Sequence, residues 1–163
     1  MLQQLSSGHI VWHSIGGNAG SISPNLISEL QKWKQVKASS REAGGLLLGF
    51  IDLDTEGLLA ETATVPGRGD QRSRIKFFRG PRHQKLAIRW NHSTDGRGTQ
   101  LGLWHTHPEP IPTPSSVDIN DCRNVLTNGE FVSNGLLYVI VGIDKVSFWF
   151  AKKGRELEHL GYF

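Results

Sequence analysis

Cysteine is almost missing from this chain. One thiol, Cys122, in 163 residues leaves no disulfide framework and no Cys-rich zinc finger. A lone thiol also suits a reducing compartment. Long hydrophobic runs are missing too, and none approaches the roughly 20 apolar residues that a membrane-spanning helix needs. Residues 1–8 carry neither the basic start nor the apolar middle of a signal peptide. A cytoplasmic protein is the expectation. Charge of one sign is in small excess, +3 at pH 7, which tolerates an anionic partner without requiring one. No internal repeat, linker or low-complexity stretch breaks the chain.

What is there describes an ordinary globular protein: 37% hydrophobic residues, 20% charged residues and 19 glycines. The length favours one domain, residues 1–163. A chain of this size buries about 70% of its unfolded surface without a covalent staple.

The hydrophobic pattern alternates between periods of two and of 3.6 residues. A strand is expected over 8–15. Ser23 followed by Pro24 opens a helix over 24–36, with Leu26, Ile27, Leu30 and Trp33 on one face. The apolar run 44–52 reads as a strand covered on both faces, and 58–65 as its hairpin partner. Residues 66–73 read as a Gly- and Arg-rich loop, 74–78 as a short strand, and 81–91 as a helix burying Leu86, Ile88 and Trp90. A strand over 99–104 leads into four prolines between 108 and 114, where no regular structure fits. Ser115 or Ser116 then caps a helix to about 126. Strands over 136–143 and 146–151 form a last hairpin, and the final dozen residues give no clear signal. The fold class expected is α/β (α+β).

The chemistry is concentrated in His105-Thr106-His107-Pro108 and Ser115-Ser116-Val117-Asp118. Side chains two apart on a strand point the same way, so His105 and His107 converge. The proline-rich loop returns the chain so that Asp118, in the first turn of the next helix, can join them. Two imidazoles and one carboxylate with an open fourth position describe a catalytic rather than a structural zinc site. His-x-His alone would be weak in a chain with seven histidines; the added Pro, Ser and Asp at fixed spacing carry the argument. A hydrolase built on such a site also needs a carboxylate outside the metal shell to move protons. Of eight glutamates, Glu42 stands directly before the buried strand, where a charged residue is either solvated at its tip or functional.

Glu42 with Gly44-Gly45-Leu46-Leu47-Leu48-Gly49, then His105-Thr106-His107-Pro108 and Ser115-x-x-Asp118, resembles the JAMM motif of the JAB/MPN metalloproteases. The resemblance covers residues 10–150, with a motif core at 42–118. It implies a cytidine-deaminase-like sheet flanked by helices. It implies Zn2+ held by His105, His107 and Asp118, Glu42 as general acid/base, and Ser115 as hydrogen-bond donor to the oxyanion, with Ser116 as the competing register. Such enzymes cleave isopeptide or peptide bonds after the C-terminal tail of ubiquitin or a ubiquitin-like protein. Trp104 to Glu109, Pro112 to Ser116 and the upstream Asp70 to Arg74 with Phe77-Phe78-Arg79 look like the small stand-alone bacterial JAB proteins, which accompany E1- and E2-like enzymes. Among these are the deconjugating peptidases of type II CBASS anti-phage operons. The substrate implied there is a conjugated nucleotidyltransferase C-terminal tail. Competing readings are a non-catalytic MPN interaction module, a RadC-like DNA-associated protein, and a sulfur-carrier-processing enzyme.

Other residues invite plainer readings. The basic stretch Arg68, Arg72, Arg74, Lys76, Arg79, Arg82, Lys85 and Arg89 is a solvated face, a substrate-docking surface or, last, a nucleic-acid surface. Neither nucleic acid nor membrane is an expected partner. His83 and His92 fall outside the metal spacing and read as surface residues. Cys122 reads as a small buried hydrophobe, Trp104 as core, and Glu109 as a loop residue near the metal that is no ligand.

Overall fold

The computed structural model describes residues 1–163. Eleven strands and three helices follow one another: β1 (Leu2–Gln4), β2 (Ile10–His13), β3 (Ala19–Ile22), α1 (Pro24–Gln31), β4 (Gly44–Ile51), β5 (Leu58–Ala63), β6 (Gln71–Arg72), β7 (Phe77–Phe78), α2 (Arg82–Ser93), β8 (Thr99–Thr106), α3 (Ser116–Asn128), β9 (Leu136–Val141), β10 (Val146–Ala151) and β11 (Glu158–Tyr162). Nine strands form one sheet in the order β1-β2-β3-β5-β4-β8-β9-β10-β11, and β6 with β7 forms a separate two-stranded ribbon. Pairing is antiparallel except for β3 with β5 and β8 with β9. The α/β (α+β) expectation is met. No helix is long and apolar enough to cross a membrane.

The central strands are apolar on both faces because both faces are covered. Leu47, Leu137, Val139 and Val141 face a core closed by α1, through Leu26, Ile27 and Leu30. Leu46, Leu48, Tyr138 and Ile140 face the other way, against Ala87 of α2. Beyond them Cys122 and Leu126 of α3 pack on Leu136 and Ala151. Each fully buried Leu or Val of this kind contributes about 1.5–3 kcal/mol relative to exposure.

One irregularity sets the site. Between β4 and β8, Leu47 pairs with Gly102 but Leu48 pairs with Gln100, so Leu101 is an extra residue in β8. Such a bulge re-phases the strand beyond it. Leu103 and His105 therefore face α2 and α3, whereas Trp104 turns into the α1 side of the core with no exposed surface.

Several boundaries differ from expectation for identifiable reasons. The first helix ends at Gln31 rather than 36. Gln35, further on, turns its amide inward instead, donating to Arg74 O at 2.7 Å. In α2 the buried residues are His83 and Ala87. They follow the helical period of four, whereas Leu86, Ile88 and Trp90 are spaced by two, and Ile88 is half exposed. The loop 66–73 contains β6, whose partner β7 occupies only the end of the expected strand 74–78. The uncertain C-terminus forms β11, paired with β10.

Candidate active site

The last residues of β8 carry the histidine pair. His105 pairs with Gly44 across the sheet and with Ile140 on the other side. His107, just past the strand, is still held by its N–H, which donates to Val141 O at 3.0 Å. The two imidazoles point the same way, and their Nε2 atoms lie 2.9 Å apart. The edge of α3 closes on them. Asp118 places Oδ1 3.3 Å from His105 Nε2 and Oδ2 3.1 Å from His107 Nε2.

Asp118 is itself fixed by the start of its helix. Ser115 is the N-cap: its Oγ accepts from Asp118 N at 3.2 Å, while Asp118 Oδ2 accepts from Ser115 N at 2.7 Å. This is a reciprocal capping box. It makes Ser115 rather than Ser116 the cap, and leaves the Ser115 O–H free to donate elsewhere.

Glu42 enters from the segment before β4. It is 6% exposed, and one donor atom from each of Glu42, His105 and His107 lies within 4.8 Å of the others. The structure thus gathers Glu42, His105, His107 and Asp118 at one point. The donor set suits a divalent cation. The two Nε2 atoms, 2.9 Å apart and each within 3.3 Å of an Asp118 oxygen, aim one donor atom apiece at the same point, and His107 Nδ1 is buried with no hydrogen-bond partner. Glu109 Oε2 stands 3.7 Å from that nitrogen on an exposed side chain.

Electrostatics separates the two carboxylates. Burial pushes Glu42 up to about 7, and the charge of Asp118 adds to it, against the opposing charge of His107. Asp118 is also penalised by burial, but hydrogen bonds from both imidazoles and from Ser115 N hold it well below the usual carboxylate range. The imidazoles divide as well. Burial lowers His105. In His107 burial works the same way but loses to the hydrogen bond and charge of Asp118 and to the charges of Glu42 and Glu109, and the net shift is upward. A cleft of about 210 Å³ opens over this cluster, lined among others by Glu42, Phe77, Phe78, Val117, Asp118 and Tyr138.

Residues without a motif complete the support. Thr106, between the two histidines, points to the opposite face. Its Oγ1 accepts from Ala43 N at 2.9 Å and donates to Gln35 Oε1 at 2.7 Å. Gln35 and Thr106 are buried, and nothing in the local pattern singles them out.

The remaining sequence candidates are placed as follows. His83 is a correction: it is 1% exposed, not a surface residue. Its Nε2 lies 2.9 Å from Asp70 Oδ2, and its Nδ1 lies 2.6 Å from Thr64 Oγ1. The reason is the turn of α2 that faces the sheet, which puts position 83 one helical step before Ala87. Cys122 and Trp104 are buried as expected. The basic stretch is not one surface. Arg74 donates to Lys37 O and Ala38 O. Arg79 pairs with Asp121 at 3.1 Å, and Arg82 donates to Val65 O.

Fold and site together define a class of protein: a mixed sheet flanked by helices, carrying an open imidazole–carboxylate centre with a second, separately tuned carboxylate beside it. Residues 26–152 match the family described as prokaryotic homologs of the JAB domain. The chain belongs to that family. It is 32% identical to a Vibrio cholerae protein over 82% of this chain and 81% of that one. It is 39% identical to a Pseudomonas aeruginosa protein over 74% and 75%, and 30% identical to an Escherichia coli protein over 81% and 80%. All three bear the name CD-NTase/cGAS isopeptidase. The solution structure of protein DSY2949 from Desulfitobacterium hafniense superposes with a TM-score of 0.59 at 23% identity, covering 85% of this chain and 87% of the other, which bears on the fold alone.

Proposed function

We propose that this protein is a zinc-dependent isopeptidase of the JAB class that releases proteins conjugated through a C-terminal tail. Following the name its relatives carry, the conjugated protein is a CD-NTase; as part of the same proposal, E1- and E2-like partners attach this nucleotidyltransferase to its target. The setting proposed is the bacterial cytoplasm, in CBASS anti-phage defence, with residues 1–163 acting as one domain. The observation that carries this reading is the contrast between two carboxylates on one pair of imidazoles: Asp118 lies within 3.3 Å of both Nε2 atoms and accepts from Ser115 N, while Glu42 stands buried beside the same pair. Environments that push two neighbouring carboxyls apart assign one to charge and the other to proton transfer.

His105, His107 and Asp118 would hold the ion. Bound there, zinc supplies Lewis acidity, acidifying water to a pKa near 7 and polarising a carbonyl. Glu42 takes a proton from the attacking water and returns it to the leaving amine. Ser115, whose Oγ already accepts from Asp118 N, turns its free O–H toward the carbonyl oxygen as charge develops. The tail of the conjugate lies extended along a strand edge, where main-chain bonding demands little of its sequence.

The test is a conjugate whose CD-NTase tail is amide-linked to a reporter lysine. Glu42→Gln is expected to keep one zinc per chain and lose cleavage by 100-fold or more, on the order of what general acid–base catalysis supplies. Asp118→Asn is expected to lose both metal and cleavage. A Glu42→Gln variant that cleaves normally, or one that loses zinc while Asp118→Asn keeps it, overturns the assignment of roles. Zinc without cleavage in the unaltered protein would instead leave a metal-bearing interaction module.

A further inference from the structure

Arg41, Glu42 and Ala43 precede β4 and lie outside the sheet ladders, so their peptide groups need partners from elsewhere. The peptide plane before the Glu42 Cα contains Arg41 O and Glu42 N. Arg72 Nη2 donates to the first at 3.3 Å, and the second donates to Ser73 O at 2.7 Å. The plane after it contains Glu42 O and Ala43 N. Arg72 Nε donates to the first at 2.8 Å, and the second donates to Thr106 Oγ1 at 2.9 Å. Both planes flanking Glu42 are therefore held at both ends, and one guanidinium fork supplies the donor for the carbonyl of each.

The backbone torsions of a residue relate its two flanking planes, and they fix where its Cα–Cβ bond points. This matters for Glu42 because no hydrogen bond holds its carboxylate: burial and the charges of His107 and Asp118 are what act on it. The side chain's place is set from behind, through the main chain.

Arg72 is held in turn. Its guanidinium carbon sits 5.4 Å from the Trp33 ring centroid. Its ribbon hangs from Asp70, whose carboxylate accepts from Gly67 N at 2.8 Å and Gly80 N at 2.7 Å, the two ends of the segment, and meets His83 Nε2 at 2.9 Å. Within the ribbon Ser73 N donates to Lys76 O at 2.9 Å.

We propose that Arg72 is a positioning residue for Glu42: bridging the Arg41 and Glu42 carbonyls, it sets the approach of the Glu42 carboxylate to the histidine pair, while the Asp70–His83 contact holds Arg72 in place. The inference rests on the reading of Glu42 as the proton carrier. It also removes Arg72 from the substrate-docking or nucleic-acid surface that its neighbours in sequence suggested. Lysine is a poor substitute, since a single ammonium cannot span two carbonyls as a planar fork does.

The zinc-loaded protein and its variants test this on the reporter conjugate. Arg72→Ala is expected to lower kcat about 10- to 100-fold, the scale of a misplaced catalytic group, with KM within twofold and zinc content unchanged. Arg72→Lys should recover part of the loss, and added guanidinium should recover part in Arg72→Ala. In a Glu42→Gln background Arg72→Ala should change the residual rate by less than twofold. Independently of any cleavage, the backbone amide of Glu42 should exchange with solvent deuterium at least 10-fold faster in Arg72→Ala, or in Arg72→Lys should the alanine variant not fold. A raised KM at unchanged kcat, or a full additional loss in the Glu42→Gln background, would mean that Arg72 grips substrate and would overturn the proposal. So would unchanged amide exchange. If the unaltered protein cleaves no conjugate, the functional reading fails while amide exchange still decides whether Arg72 holds Glu42.

Discussion

The molecule contains two clusters of imidazole and carboxylate, and they are built to opposite ends. In the first, Asp70 accepts from Gly67 N, Gly80 N and His83, and the other ring nitrogen of His83 meets Thr64 Oγ1, which also accepts from Leu46 N at 2.8 Å. Asp70 is an acceptor, so the His83 Nε2–H donates to it, while Nδ1 and the Thr64 hydroxyl share the second bond. Every polar atom is matched, and the Asp70 side chain has no exposed surface. In the second, His105 and His107 turn the same nitrogen toward the same carboxylate and toward each other at 2.9 Å, and leave His107 Nδ1 without a partner. Residue types do not distinguish a structural cluster from a reactive one here. Completeness of hydrogen bonding does: the closed set holds a loop, and the open set has room for an ion and a reacting bond.

The comparison can be broken by removing equivalent groups from each side. Asp70→Asn leaves His83 and two amide N–H groups facing a neutral amide in a sealed site. It is expected to cost about 3–5 kcal/mol, the scale of a buried pair losing one member, measured by urea unfolding, with zinc content unchanged in whatever folds. An Asp70→Asn protein as stable as the parent would show that the first cluster does not hold the ribbon. The pH dependence follows with a definite sign. Burial opposes the charge of Asp70, but hydrogen bonds from Gly80, His83 and Gly67 hold its pKa below the usual carboxylate value. Its stabilisation is therefore present above the unfolded pKa of about 4 and is lost as pH falls through the folded value, because the unfolded chain takes up that proton first. The stability gap between the parent and Asp70→Asn should accordingly narrow below about pH 4. The smallest effect is expected of Thr64→Val, which keeps the branched shape but removes one hydroxyl from the closed network: about 1–3 kcal/mol, with no change in metal content.

The same contrast explains what could be read from the chain directly. His105, His107, Ser115 and Asp118 lie within one strand end, one loop and one helix cap, so strand alternation and capping chemistry brought them together in advance. Glu42 was legible as a charge before a buried strand. The closed cluster was not, because Thr64, Asp70 and His83 meet through a loop whose path no local pattern specifies; His83 looked like a surface histidine for that reason. Gln35 bonds Thr106 across 71 positions, and Arg72 reaches Glu42 across 30. Arg72 lay in a stretch whose composition spoke only of charge. Strand β11 escaped for a different reason: its pairing slips at Phe148/Trp149, and the alternation that marks a strand is lost there.

The surplus residue at Leu101 has one further meaning. If Leu101 were instead paired with Leu47 in a regular ladder, each later residue of β8 would slip by one partner along β4, and the end of the strand would turn over by half a turn of the pleat. Trp104 and Thr106 would then look out over the cleft, and both imidazoles would be sealed among aliphatic side chains, where no ion or peptide bond reaches them. Where that one residue of slack is taken up, upstream of the histidines, thus decides which face of the sheet the same motif letters serve.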